Sequence, residues 1–132
     1  KVANYGTVFV TVADCDKEEA LPLIRRFYNL GFNIEATAGT ARFLKGHGIR
    51  TRVRAKLSEG SDEILNSIRR GYVTYVINTH DVSSGQSESD GYAIRRCAVE
   101  NNVTMFTSLD TVRVLLDVLE ETTIGVSTID AE

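Results

Sequence analysis

Thr37-Ala-Gly-Thr40 is the stretch of this sequence whose residue types best fit a chemical task. At the beginning of a helix, two hydroxyls and several unpaired backbone N–H groups can cradle a phosphate, because the helix dipole also favours an anion there. In many helices the same residue types serve only as a cap, and Thr40 or Gly39 could take that role. The motif by itself leaves phosphate binding and capping both open.

Two lysines can add positive charge to such a cradle. Lys17 follows the first predicted strand, and Lys56 follows the third. A single surface lysine is usually only solvated. The carboxyl ends of parallel strands share one edge of a sheet, however, and this would bring both ammonium groups towards Thr37 and Thr40. Each charge-assisted hydrogen bond to a phosphate contributes about 1.5–3 kcal/mol when water is excluded.

Asn78-Thr79-His80 ends the fourth predicted strand at the same edge. The amide and the hydroxyl could bond a ribose, a base or a phosphate oxygen, or they could form an Asx turn at the strand exit. His80 could titrate near neutral pH, although the sequence identifies no acidic partner for it.

Motifs for nucleophilic catalysis and metal binding are missing from the sequence. It contains no G-x-S-x-G, no H-E-x-x-H and no cysteine–histidine cluster at ligand spacing, so we expect neither a catalytic residue nor a metal site. The net charge of −3 offers no basic field for nucleic acid, and the apolar runs are too short to span a membrane. Cys15 and Cys97 form no C-x-x-C pair, which favours a reducing, cytoplasmic compartment.

Strand-like and helix-like segments alternate along the 132 residues. Five such βα units imply an α/β domain whose parallel sheet is covered by helices on both faces, with ligands bound beyond the carboxyl ends of the strands. The third strand is rich in arginine and is expected at an edge of the sheet. The polar loop 83–89 is expected to be mobile. The predicted strands are 6–12, 32–36, 49–54, 72–77 and 103–107, and the predicted helices are 16–30, 41–47, 61–70, 90–101 and 108–121, with a tail at 122–132.

The first predicted helix carries two conflicting features. Asp16 and Glu19 have the spacing of a capping box, which predicts a helix start. Pro22 lies inside the same helix, where it should cost a hydrogen bond or bend the axis.

Several short strings, in their order and spacing, resemble one family. Over about residues 6–120 the sequence is similar to the methylglyoxal-synthase-like regulatory domain of the carbamoyl-phosphate synthetase large subunit, and residues 1–121 are assigned to that domain. The strings are Asp16-Lys-Glu18, Leu30-Gly-Phe32, Ala36-Thr-Ala-Gly-Thr-Ala41, Gly48-Ile49, Lys56, Glu59-Gly60, Val76-Ile-Asn-Thr79 and Ile94-Arg-Arg96.

The resemblance implies a three-layer, Rossmann-like α/β fold with a five-stranded parallel sheet of order 3-2-1-4-5. It also implies a pocket for a nucleotide monophosphate, with UMP as an inhibitor and IMP as an activator. The domain itself would have no catalytic activity and no cofactor. By the same resemblance, the phosphate would be bound by Lys17, Thr37, Gly39, Thr40 and Lys56, and the nucleoside side would be formed by Asn78, Thr79 and His80.

The resemblance further implies a parent enzyme that makes carbamoyl phosphate from glutamine or ammonia, bicarbonate and ATP for pyrimidine and arginine synthesis. That enzyme would use ATP with Mg or Mn. Its other parts, the synthetase domains of the same chain and a glutaminase small subunit, would be the partners of this domain. The identity of the nucleotide and the pathway served by the parent enzyme stay open.

Two other functions also stay open. Methylglyoxal synthase, a lyase that acts on dihydroxyacetone phosphate, is similar at Thr37-Ala-Gly-Thr40. Its G-G-D-Q-Q string corresponds here to Glu59-Gly-Ser-Asp-Glu63, and its strand-one histidine is replaced by Asp14-Cys-Asp16. The other alternative is an effector-insensitive interaction module, because His80 stands where bacterial members of the family often have threonine.

Overall fold

Five short strands and five helices alternate in the computed structural model, which describes residues 6–56, 60–79 and 88–131. His80 and most of the predicted mobile loop 83–89 therefore lie outside the described residues. The strands are β1 (Thr7–Thr11), β2 (Asn33–Ala36), β3 (Arg52–Val53), β4 (Val73–Asn78) and β5 (Thr104–Phe106). The helices are α1 (Lys17–Asn29), α2 (Ala38–Gly46), α3 (Glu63–Arg69), α4 (Glu88–Glu100) and α5 (Leu109–Ala131).

All neighbouring strands pair in parallel, in the order β3-β2-β1-β4-β5. This confirms the predicted five-stranded sheet and its order. The arginine-rich strand predicted at 49–54 is reduced to the two residues of β3, and it lies at one edge of the sheet, as its composition indicated. β1 lies in the centre, and its β-branched and aromatic residues are buried along nearly its whole length.

Two apolar clusters, one on each face of the sheet, make the structure three-layered. Val8 and Val10 of β1 point into the larger cluster, which is formed with α1, α2 and α5. Phe9 points the opposite way, into a smaller cluster with α3 and α4. Alternation along a strand places these neighbours on opposite faces. A large apolar side chain that is fully buried contributes about 1.5–3 kcal/mol, so β1 stabilises both layers.

The last helix is longer than the sequence predicted. α5 continues to Ala131, whereas the pattern predicted an end at Glu121 and an irregular tail at 122–132. Residues 122–131 contain no proline, and the single Gly125 costs a helix only about 1 kcal/mol relative to alanine. The loss of apolar periodicity after Glu121 was therefore not a signal for a helix end.

The start of α1 also differs from the prediction. Asp16 precedes the helix, but its side chain makes no capping hydrogen bond, so the predicted capping box does not form. A 3-10 turn at Asp14–Asp16 leads into α1 instead. α1 continues through Pro22, which lacks the N–H for one helical bond. Within the described residues, no helix is long and apolar enough to cross a membrane.

Candidate functional site

Three threonines meet where β1, β2 and β4 end. The Thr37 hydroxyl donates to Oγ1 of Thr11 at 3.4 Å. The backbone N–H of Thr79 donates to the carbonyl oxygen of Thr11 at 3.1 Å. The residues that follow β2 and β4 therefore lie on either side of the end of β1, as the parallel topology requires.

The open N-terminus of α2 is the candidate anion-binding feature of this edge. The helix begins three residues earlier than predicted, with Thr37 as its N-cap residue, and the Thr37 side chain makes no capping hydrogen bond. Ala41 N–H is bonded to the Thr37 carbonyl at 2.8 Å, which closes the first helical turn. By helix geometry, the N–H groups of residues 38–40 have no partner inside the helix. They are the donors that a phosphate at a helix terminus would use.

Thr40 has a structural role in this arrangement. Its side chain is buried, and its Oγ1 accepts a hydrogen bond from the Val12 N–H at 3.4 Å. This bond ties the first turn of α2 to the exit of β1. Thr37 is buried as well and bonds Thr11. The two hydroxyls therefore position the helix end, and neither caps the backbone N–H groups of the first turn of α2.

Lys17 extends from the start of α1 towards this helix end. Its Nζ lies 3.9 Å from the position that a Cβ would occupy on Gly39. A Cβ there would make ordinary van der Waals contact with the ammonium group. The Lys17 side chain is only 18% exposed, so water screens its charge less than that of a fully solvated lysine.

An exposed aspartate is paired with Lys17. The Asp14 carboxylate accepts a hydrogen bond from Lys17 Nζ and forms an ion pair with it. This bond, with the positive charge of Lys17, lowers the pKa of Asp14, and the charge of Lys56 lowers it further. Lys56 is exposed, and its part in lowering the pKa of Asp14 is smaller than that of Lys17. Both lysines therefore lower the pKa of the same carboxylate.

Asn78 and Thr79 form the other side of the edge, and both are buried. Thr79 Oγ1 accepts a hydrogen bond from the Ala13 N–H at 3.0 Å, which holds the turn after β1. A Cβ on Gly91 of α4 would lie 3.1 Å from Nδ2 of Asn78. Gly91 therefore allows α4 to approach the Asn78 amide closely.

Other sequence features lie elsewhere or have ordinary roles. Asp62 precedes α3 and is exposed, without a side-chain capping bond. Arg96 of α4 is largely exposed and pairs with Glu100 at 3.5 Å. The described residues contain no group of three acidic, histidine or cysteine side chains that could hold a metal ion. Cys15 is exposed and Cys97 is buried, and neither forms a disulfide.

Sequence reasoning missed three residues of this edge as site residues: Thr11, Asp14 and Gly91. Thr11 could have been found as the last residue of the central strand. Asp14 stands three residues before Lys17, but that spacing alone does not predict a pair in a turn. Gly91 stands in a helix, where glycine is disfavoured by about 1 kcal/mol, and this is a reason to look for a close contact.

Comparison with known proteins gives two matches. The family described as MGS-like domain has a sequence model that matches residues 19–107, a span that includes the start of α2 and the end of β4. Among solved structures, methylglyoxal synthase from Elizabethkingia anophelis NUHP1 superposes with a TM-score of 0.71 at 21% identity. The match covers 87% of this chain and 79% of that one. At this level of identity, the structural match shows a shared fold.

Proposed function

Because the chain belongs to the MGS-like domain family, we propose that it is the regulatory domain of a carbamoyl-phosphate synthetase large subunit and binds a nucleotide monophosphate. One observation carries the proposal: at the open end of α2, Lys17 Nζ lies 3.9 Å from the position that a Cβ would occupy on Gly39. A phosphate bound there would accept backbone N–H bonds and would lie against a lysine.

The phosphate supplies most of the binding energy in this proposal. Each charge-assisted bond contributes about 1.5–3 kcal/mol when it is shielded from water. Part of this is offset, because Asp14 must release Lys17 before the phosphate can bind it. We expect a net contribution of about 2–4 kcal/mol, which corresponds to about 30- to 1,000-fold in affinity over the nucleoside without phosphate.

The nucleoside side is proposed to be formed by the residues that end β4. The Asn78 amide is buried beside α4, where it can read a ribose or a base only if the ligand enters between the ends of β1 and β4. Thr79 holds the turn after β1 and would act mainly by shaping the pocket. UMP as an inhibitor and IMP as an activator are the candidate ligands.

Regulation is favoured over lyase chemistry by the residues that replace the catalytic ones of methylglyoxal synthase. The position after β1 carries Asp14, which is paired with Lys17, in place of a histidine. Asp62 follows Ser61 at the start of α3, in place of the aspartate that follows a double glycine. These differences support a domain that binds a phosphate and performs no reaction of its own.

The wider setting is part of the same proposal. The domain would respond to its nucleotide by changing its contacts with the synthetase domains of the parent chain. Those domains would carry out the ATP-dependent reaction with Mg or Mn, supplied with ammonia by a glutaminase small subunit in the cytoplasm.

Calorimetric titration of the chain with UMP, IMP and uridine tests the proposal directly. We expect at least one of the monophosphates to bind, and uridine to bind at least about 30-fold more weakly than UMP if UMP is the ligand. The Lys17→Ala variant should reduce this difference, because it removes a contact made only to the phosphate. If UMP binds, equal affinity for uridine would contradict the proposal, and so would the absence of binding by both monophosphates.

The alternative function is tested by an activity assay, because the matched fold belongs to a methylglyoxal synthase. The chain is incubated with dihydroxyacetone phosphate, and the release of methylglyoxal and inorganic phosphate is measured against a buffer control. We expect no turnover above that control. Turnover that is lost in Asp62→Asn would establish the lyase instead.

A further inference from the structure

The sheet is covered unevenly on the face that carries α3 and α4. The buried members of the apolar cluster on this face come from β1, β4, α3 and α4. Its partly buried members come from α3, from β5 and from the residue just before β5. Among the described residues, β2 and β3 contribute none. Parallel sheets of this class are normally covered on both faces. The β2–β3 half of this face is thus without an apolar layer among the residues that the structure describes.

Polar side chains occupy this half instead. Phe9 faces the α3–α4 layer, and register pairs Phe9 with Glu35 and Glu35 with Arg52. Residues in register on neighbouring parallel strands lie on the same face, so Glu35 and Arg52 share the face of Phe9. Arg50 and Arg54 flank β3; Arg54 bonds Glu35, and Arg50 lines the same groove as Glu35 and Arg52.

One of the three arginines is neutralised inside the chain. Arg54 donates two hydrogen bonds to Glu35, from Nε at 3.0 Å and from a terminal nitrogen at 3.1 Å. Glu35 is 6% exposed, so this pair is shielded from water. Arg50 and Arg52 are exposed, and among the described residues neither has an acidic partner.

These residues line a groove of about 640 Å³ at the amino ends of the inner strands, opposite the phosphate site. Two tyrosines stand at its border, Tyr28 at 36% and Tyr72 at 56% exposed. Arginine and tyrosine are the residue types that protein interfaces favour, because they combine a large contact area with hydrogen bonding. We call this surface the arginine groove. It consists of Tyr28, Asn33, Glu35, Arg50, Arg52, Arg54 and Tyr72 together with their neighbours in the lining.

We propose that the arginine groove is a docking surface for an acidic polypeptide segment, whose carboxylates pair with Arg50 and Arg52. A guanidinium binds a carboxylate through two parallel hydrogen bonds, as Arg54 does with Glu35 in the same groove. β3 is also an edge strand, so an extended segment can lie beside it with alternate side chains next to these arginines.

Nucleic acid fits the groove less well than an acidic segment. Its binding depends on several phosphate contacts, typically about 6–10 for a DNA-binding protein, and the groove offers two unpaired arginines. The net charge of −3 would also repel a polyanion at longer range. A short segment with two or three carboxylates needs only the two charges that are present.

The test uses a fluorescein-labelled peptide that alternates glutamate and threonine, and a matched peptide with glutamine in place of glutamate. Binding to the 132-residue chain is followed by fluorescence anisotropy at low salt, and the site is mapped by amide chemical shifts. We expect the glutamate peptide to shift the amides of residues 50–54 and 72. The R50E/R52E variant should weaken binding about tenfold or more, because it replaces attraction by repulsion.

The matched control is R95E/R96E, which changes charge equally at two exposed arginines on α4. Circular dichroism and the melting temperature of each variant establish that it is folded. We expect R95E/R96E to bind the glutamate peptide like the wild type. Equal losses in both variants, equal binding of the glutamine peptide, or no binding of the glutamate peptide at millimolar concentration would each overturn the proposal. Tighter binding of a single-stranded oligonucleotide through Arg50 and Arg52 would assign the groove to nucleic acid. None of these outcomes depends on nucleotide binding at the opposite edge.

Discussion

Lys17 and Asp14 form an ion pair at the mouth of the candidate phosphate site, although Lys17 is the cation that a bound phosphate would need. The lysine side chain is 18% exposed, whereas that of Asp14 is 94% exposed. Asp14 can therefore move into solvent at little cost in packing when another anion arrives. A phosphate that bound Lys17 would therefore have to replace the Asp14 carboxylate.

The first prediction concerns this competition. Asp14→Asn removes the negative charge, so we expect phosphate and UMP to bind about three- to tenfold more tightly than in the wild type. Calorimetry at constant ionic strength measures the change. Glu121→Gln is the control, because it removes one negative charge from an exposed position on α5. If Asp14→Asn bound UMP no better than Glu121→Gln, the competition would be disproved. If no variant bound any phosphate, the site itself would be disproved.

Lys56 provides the second prediction. Its positive charge contributes to the lowered pKa of Asp14, so we expect the same charge to attract a phosphate bound beside Asp14. Lys56→Ala should weaken UMP binding about three- to tenfold, while uridine binding stays unchanged. The loss should shrink as salt is raised, since Lys56 is exposed. Lys45→Ala, at the opposite end of α2, is the control and should bind UMP normally.

The contact between Gly91 and Asn78 leads to a third prediction. A methyl group on Gly91 would lie 3.1 Å from Nδ2 of Asn78, so the buried amide must move by a few tenths of an ångström. In Gly91→Ala we expect UMP to bind about fivefold more weakly, while inorganic phosphate binds as before. Gly46→Ala gains the same helix propensity without any contact within 4 Å and is the control. A parallel loss of phosphate binding would show that Gly91 acts on the whole fold.

The fourth prediction concerns stability and pH. Arg26 binds both oxygens of Glu120, at 2.9 and 2.7 Å, and links α1 to α5. These bonds lower the pKa of Glu120. Because the folded pKa is below the unfolded one, the stabilisation is complete above the ordinary carboxyl pKa, and it is lost as pH falls through the lowered value. The Glu120 side chain is 37% exposed, so screening limits the contribution to about 0.5 kcal/mol.

Thermal melts of Glu120→Gln and the wild type, followed from pH 7 to pH 2, check this. The variant should melt at a lower temperature at neutral pH, and the difference should disappear in acid. Glu121→Gln, which removes an exposed carboxylate from the middle of α5 with no acceptor role among the described residues, should melt like the wild type throughout. A difference between Glu120→Gln and the wild type that persisted at pH 2 would mean that packing, not charge, links the two helices.

The local sequence pattern was enough to predict which segments form strands and which form helices. It also indicated that a ligand would bind at the carboxyl ends of the strands. β-branched runs such as Val8-Phe-Val10 and glycine stops such as Gly31, which has a φ of 103°, act within a few residues of the chain. Since parallel strands end at one edge, the sequence also pointed to Lys17, Thr37 and Asn78 as neighbours. The strand order came from resemblance to a family, because periodicity carries no information about which strands pair.

Only the tertiary structure decided what each side chain at that edge does. The Thr37 hydroxyl bonds Thr11 and leaves α2 uncapped. Asp14 forms an ion pair with Lys17, and the absence of a side chain on Gly91 lets α4 lie close to the Asn78 amide. Likewise, the sequence around β3 showed three arginines. It did not show that Glu35 neutralises one of them, or that the other two border a part of the sheet that no apolar layer covers among the described residues. These outcomes depend on distances between segments that are remote in sequence or joined by irregular turns. Such distances are set by the packing of the whole domain, which no local pattern encodes.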